Sequence, residues 1–174
     1  MRPIVLPLLL ACGAACAAQP NPLIDYEAFA RGVAQVREAR EGRRVSEEEF
    51  TRMAREPGTV VLDARSERLF RLRHVKGAVN LAFPEFTAET LARAIPSRDT
   101  RVLIYCNNNF RGAPESMPVK AIASALNLST FVSLHSYGYR NVYELAPAVD
   151  VGESLLEFEG GEVGAGYLYL TVQP

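Results

Sequence analysis

Short apolar runs and stretches of helical periodicity alternate along this chain. Thr59-Val60-Val61-Leu62 is a β-branched run of the kind buried on both faces of a sheet, and it ends at Asp63. Val102-Leu103-Ile104-Tyr105 is a second such run within a strand expected from Arg101 to Tyr105. Further strands are expected at Ala78 to Leu81 and Asn141 to Leu145. Between them the spacing changes. From Asp25 to about Arg40, residues Tyr26, Phe29, Ala30, Val33 and Val36 recur at intervals that put them on one helical face. Ser46 and Glu49 form the pattern of a capping box, and Pro57-Gly58 stops the short helix that follows. Another helix is expected from Thr87 to Ile95, closed by Pro96, and another in the long segment from Ala121 to Ser136. Short strands alternating with helices predict an α/β fold, a central parallel sheet flanked by helices on both faces. Reactive groups in such sheets collect beyond the carboxyl ends of the strands, where Asp63 and Cys106 both fall.

The first residues do not fit this pattern. Arg2, the apolar run Ile4 to Leu10 and the small residues Ala14 to Ala18 have the anatomy of a signal peptide over residues 1–18. The apolar run is far shorter than the ~20 residues a membrane-spanning helix needs, so stable membrane insertion is not expected. The expectation is export to the periplasm, with a lipoprotein anchored through Cys12 as the alternative, because Leu9-Leu10-Ala11-Cys12 resembles a lipobox. The remainder suits one domain preceded by a helical segment over 19–44 and followed by an extension over 151–174.

A net charge of −1 argues against nucleic acid or an anionic membrane as partner. With two histidines and no ligand-like spacing, no metal site is expected, and no glycine-rich loop suggests a nucleotide; no cofactor is implied.

Cys106 carries the strongest chemical signal. It closes a buried strand and opens the polar stretch Asn107-Asn108-Asn109-Phe110-Arg111, where a nucleophile would sit. A tight loop closing onto a helix start would turn successive backbone N–H groups inward as an anion cradle. That cradle and the guanidinium of Arg111 would together lower the thiol pKa. The plainer reading makes Cys106 a small buried hydrophobe, Arg111 a solvent-facing cation and the asparagines turn residues.

The segments VVLDARSERLF, HVKGAVNLAF, VLIYC with its following arginine, and YGYRNVYEL, in that order, resemble a rhodanese domain over about Val45 to Leu145. The resemblance implies a rhodanese-like domain over 45–150 and a cysteine that carries sulfane sulfur as a persulfide. It implies a sulfurtransferase that takes sulfur from a small donor such as thiosulfate and passes it to a thiol or cyanide acceptor. Asn107 to Phe110 and Arg111 would then hold the substrate, with Asp63, Arg65 and His74 in supporting, largely architectural positions. Three features depart from the family pattern. Asn109 stands where the loop usually has glycine, and could keep a similar turn by adopting positive φ. Gly112 replaces the usual Ser or Thr after the arginine. The stretch between Cys106 and Tyr137 is longer by roughly a dozen residues and contains Pro114 and Pro118.

Two rival functions remain open. A cysteine phosphatase of this fold would typically space cysteine and arginine by five residues, whereas four separate Cys106 from Arg111. A binding module that has lost activity is the other. His135 is expected to be an ordinary helix residue. Leu155 to Pro174, with Tyr167-Leu168-Tyr169-Leu170, is expected to add an edge hairpin or pack as a tail.

Overall fold

A computed structural model describes residues 21–163. The expected signal peptide and the Tyr167 to Leu170 segment lie outside the described residues. From Asn21 the chain enters α1 (Tyr26–Glu41), capped by Asp25, whose carboxylate accepts from the Ala28 N–H. After β1 (Arg44–Val45), Ser46 caps α2 (Glu47–Ala54) by accepting from the Glu49 N–H. The capping box is only half made, because Arg52 engages the Glu49 carboxylate. β2 (Thr59–Asp63), α3 (Glu67–Leu72), β3 (His74–Val75) and β4 (Val79–Asn80) follow. Next come α4 (Ala88–Ala94), where Thr87 and Thr90 do form a full capping box, and β5 (Arg101–Tyr105). Cys106 then leads through a 3₁₀ turn, Asn107–Asn109, into β6 (Phe110–Arg111). The last elements are α5 (Leu126–Ser136), β7 (Val142–Leu145), β8 (Val149–Asp150) and β9 (Phe158–Glu159).

Five strands pair in parallel in the order β1-β7-β5-β2-β4, so the three buried runs are neighbours, as their sequences predict. The register aligns Asp63 with Tyr105, and Ile104 with Glu144 and Glu144 with Arg44. Alternation along the strands builds two cores. Leu62, Val102, Ile104 and Val142 pack with Val36 of α1, Leu91 of α4 and Phe131 of α5. On the opposite face, Val61, Leu103, Tyr105 and Leu145 pack with Phe50 and Met53 of α2, together with Phe110, Met117 and Leu156.

The periphery departs from the sequence expectations in three places. α1 forms where expected, yet of its predicted apolar face only Val36 is buried, while Tyr26 and Phe29 remain exposed. The helix lies against α5 near Gly32 and Val36. The Ala121 to Ser136 segment starts with a 3₁₀ turn, Ile122–Ser124, before α5 begins. The extension beyond Asp150 returns to the domain: β9 pairs antiparallel with β3. Just after it, Gly160 has φ +127°, and a Cβ there would lie 2.4 Å from the Leu72 carbonyl oxygen, so only glycine fits this crossing. Among the described residues no helix is long and apolar enough to cross a membrane.

Candidate functional site

β2 and β5 end side by side, and each exit carries residues singled out by the sequence. At the end of β2, Asp63 and Arg65 are both buried and form an ion pair. The Tyr105 hydroxyl donates to Asp63 Oδ2 at 2.5 Å, and the Arg65 backbone N–H donates to Asp63 Oδ1. Arg65 also donates to the backbone oxygens of Ser116 and Arg73 and lies against Met117 Sδ. Burial works against its charge, but the hydrogen bonds and charge of Asp63 outweigh that, and the Arg65 pKa is raised. Burial, then the Asp63 charge, holds Tyr105 well above its ordinary pKa, so its hydroxyl remains a donor. His74 lies against the Phe70 ring, bonds the Phe70 carbonyl through Nδ1, and faces Glu159. These contacts give Asp63, Arg65 and His74 architectural surroundings.

Cys106, at the end of β5, is 2% exposed. The loop after it does not close into a cradle at a helix start. It makes one 3₁₀ turn and straightens into β6, which pairs with β8. No non-glycine residue among those described has positive φ, so Asn109 does not imitate the family's glycine. It acts through its side chain instead. Its Oδ1 accepts from the Cys106 backbone N–H at 2.9 Å and from Asn127 Nδ2, and its Nδ2 donates to the carbonyls of Leu145 and Pro147. One buried amide therefore ties the loop to the end of β7 and to α5. Asn108 pairs its amide with the Lys120 backbone in both directions and so closes the long stretch that follows. Phe110 is buried edge-on against Tyr105 and Phe158. Asn107 is buried, with an unpartnered Oδ1. Arg111 is exposed on β6.

Cys106 lines a cleft of about 400 Å³ whose wall includes neither Phe110 nor Arg111. Asn108 and Asn109 border it, and its charged wall comes from residues that the sequence reading did not single out: Arg40, Arg44 and Glu144. Glu144 is nearly fully buried and sits between the two arginines, with Arg40 Nε at 3.0 Å and Arg44 Nε at 3.2 Å. Two guanidiniums against one carboxylate leave this wall net positive. The start of α5 adds to it: Ala125, Asn127 and Leu128 line the cleft, and no side chain caps the helix. Asn127 is buried, and its Oδ1 lacks a partner. A signal for this wall existed in the sequence, because a charged Glu144 inside an otherwise apolar strand demands cationic partners. No metal-ligand cluster occurs among the described residues.

The rhodanese-like domain family matches residues 46–147. The chain belongs to this family. No curated protein sequence matches it. Among solved structures it is similar to a rhodanese-like domain from an Anabaena sp. protein, solved by NMR, at 17% identity over 71% of this chain and 83% of that one, with a TM-score of 0.48. A rhodanese with anions from E. coli matches at 23% identity over 59% and 99%, TM-score 0.40. The polysulfide-sulfur transferase homodimer of Wolinella succinogenes matches at 14% over 73% and 93%, TM-score 0.39. The family match over residues 46–147 is what assigns this chain its rhodanese-like domain. α1 and β1, which supply Arg40 and Arg44, precede the matched region.

Proposed function

We propose that this rhodanese-like protein is a sulfurtransferase whose Cys106 carries the sulfur. The observation that carries the reading is a strand-end cysteine lining a cleft with a net positive wall. The Cys106 thiolate attacks the outer sulfur of a donor such as thiosulfate. The bond between the two donor sulfurs breaks, its electron pair leaves with sulfite, and Cys106 holds a persulfide. An acceptor thiolate then attacks the outer sulfur of that persulfide and leaves with it as its own persulfide, regenerating the Cys106 thiolate. No net oxidation occurs in the cycle. The net positive wall and the uncapped start of α5 suit an anionic donor entering the cleft.

One observation favours the second reading, a binding module without turnover: the loop makes a single 3₁₀ turn, with the Asn109 N–H directed at the Cys106 side chain, and then straightens into β6 instead of opening a longer helix. Intact-mass measurement after incubation with thiosulfate, mercaptopyruvate or polysulfide decides between them. The sulfurtransferase reading expects one added sulfur atom, removed by a thiol and missing in Cys106→Ser. A Cys106 that reacts with alkylating reagents yet takes sulfur from none of these donors overturns it.

A further inference from the structure

The cleft beside Cys106 is larger and more polar than its nearest chemistry requires. Thiosulfate has five heavy atoms, while about 400 Å³ lies within the range of pockets for organic small molecules. The charges also lie away from the cysteine. Arg44 is in register with Glu144, and Glu144 with Ile104, two residues before Cys106. Two strand spacings amount to roughly 10 Å across the sheet, with about 7 Å more along it. An arginine stem closes part of that gap, and a ligand must close the rest.

The guanidiniums are only partly committed. Arg40 gives Nε and one terminal nitrogen to Glu144, and Arg44 gives Nε alone. Both arginines line the cleft and are partly exposed, Arg44 44% accessible. Glu144 holds the Arg40 fork through two nitrogens and tethers Arg44 through its Nε. On the same wall, the buried Asn127 has an oxygen with no partner. A planar anion suits such forks.

We propose that Arg40 and Arg44, held by Glu144, form an anion subsite that binds the distal carboxylate of an organic sulfur compound while its sulfur meets Cys106. The inference rests on the reading of Cys106 as the reactive thiol. It moves ligand recognition from the loop arginine to a helix and strand that precede the family's matched region. Arg40 and Arg44 set specificity, and Glu144 is a positioning residue.

The test uses the full chain with Cys12→Ser and Cys16→Ser, leaving Cys106 as the one thiol. Its rate of thiol–disulfide exchange is measured with dithiobis(nitrobenzoate), which carries a carboxylate on each ring, and with uncharged dithiodipyridine. In each case the cysteine thiolate attacks one sulfur and an absorbing aryl thiolate leaves. The charged-to-neutral rate ratio, normalised to a free small thiol, should fall about fivefold in Arg44→Gln and at least about tenfold in the Arg40→Gln, Arg44→Gln pair, with Arg44→Lys between the parent and Arg44→Gln and Arg111→Gln within about twofold of the parent. The neutral reagent exposes any variant that has unfolded, and Arg44→Lys, which keeps the charge beside Glu144, then decides through its own lowered ratio. A ratio indifferent to Arg40 and Arg44, or one that follows Arg111, overturns the subsite. If the ratio behaves as expected but no donor loads sulfur onto Cys106, the subsite stands and sulfur transfer falls. If sulfur loads and the ratio ignores both arginines, the subsite falls alone.

Discussion

The exits of β2 and β5 lie one strand spacing apart, yet they are finished in opposite ways. At the β2 exit, Asp63, Arg65 and Tyr105 spend their polar groups on one another and on the backbone at Arg73 and Ser116. At the β5 exit, Asn109 is fully engaged, but Asn107 and Asn127 each keep an unpartnered buried oxygen, and the thiol borders open space. In the first arrangement the ionised groups are satisfied by one another and by backbone, and the atoms left over beside them without a hydrogen bond are Ser116 Oγ and Arg73 Nε. The second is rigid in its backbone and unfinished in its side chains. A charge at a strand end is therefore poor evidence for chemistry by itself; what matters is whether its neighbours have already satisfied it.

The comparison breaks most sharply at Cys106 itself. Cys106→Ser should abolish sulfur uptake by intact mass while leaving the thermal midpoint nearly unchanged, since one small buried side chain replaces another. The β2 exit should behave in the reverse way. Asp63→Ala strands the Arg65 charge in the core and should cost about 3–5 kcal/mol in denaturant unfolding. If Asp63→Ala folds normally but loses sulfur uptake, the contrast between the two exits is wrong. Asn109→Ala should fall between them, at about 2 kcal/mol, because it leaves the carbonyls of Leu145 and Pro147 without their donor. It should also speed alkylation of Cys106, a readout that a purely global loss of stability would share with Asp63→Ala only near the unfolding midpoint.

A smaller effect depends on pH. His135 is 7% exposed, and its pKa is lowered by burial first and then by Arg140 and Arg43. The unfolded chain takes up a proton near the ordinary histidine pKa of about 6.5, while the folded chain resists until lower pH. Stability associated with this group is present above that value and is lost as pH falls towards the folded pKa. The thermal midpoint should therefore drop between neutral and mildly acid pH, and His135→Gln should flatten that part of the profile. The smallest change is expected from Arg111→Ala, within about 0.5 kcal/mol for a surface substitution. Its sulfur uptake should stay close to that of the parent.

Much of the sheet was legible because buried strands announce themselves. The runs ending at Asp63 and Tyr105 and the strand at Val142 form neighbours with the predicted parallel sense. Of the two-residue strands, β4 falls within the expected Ala78 to Leu81 strand, whereas β1, β6, β8 and β9 were not legible, being too short to carry a period. Cys106 stood out through its place at a strand end. Its surroundings did not. The family-based expectation of a turn after it relied on Asn109 adopting positive φ, whereas the asparagine instead spends both ends of its amide on distant partners. Arg40 looked like the last turn of an isolated helix, and Arg44 like part of a basic pair. Only the register of β1 with β7 brings them to Glu144, and register is a long-range property.

The crossing at Gly160 has a consequence for the order in which the molecule can be completed during synthesis. All five strands of the main sheet have been made once Leu145 emerges, so the first core can close early. The second core has to wait. Leu156 and Phe158 belong to it, and they can lock down only after the chain has passed over the Leu72 carbonyl at the residue without a side chain. Until then Phe110 and Tyr105, immediately flanking Cys106 and its loop, lack part of their cover. A nascent protein halted before Leu156 and Phe158 would therefore present the loop after Cys106 beside an incompletely covered apolar face.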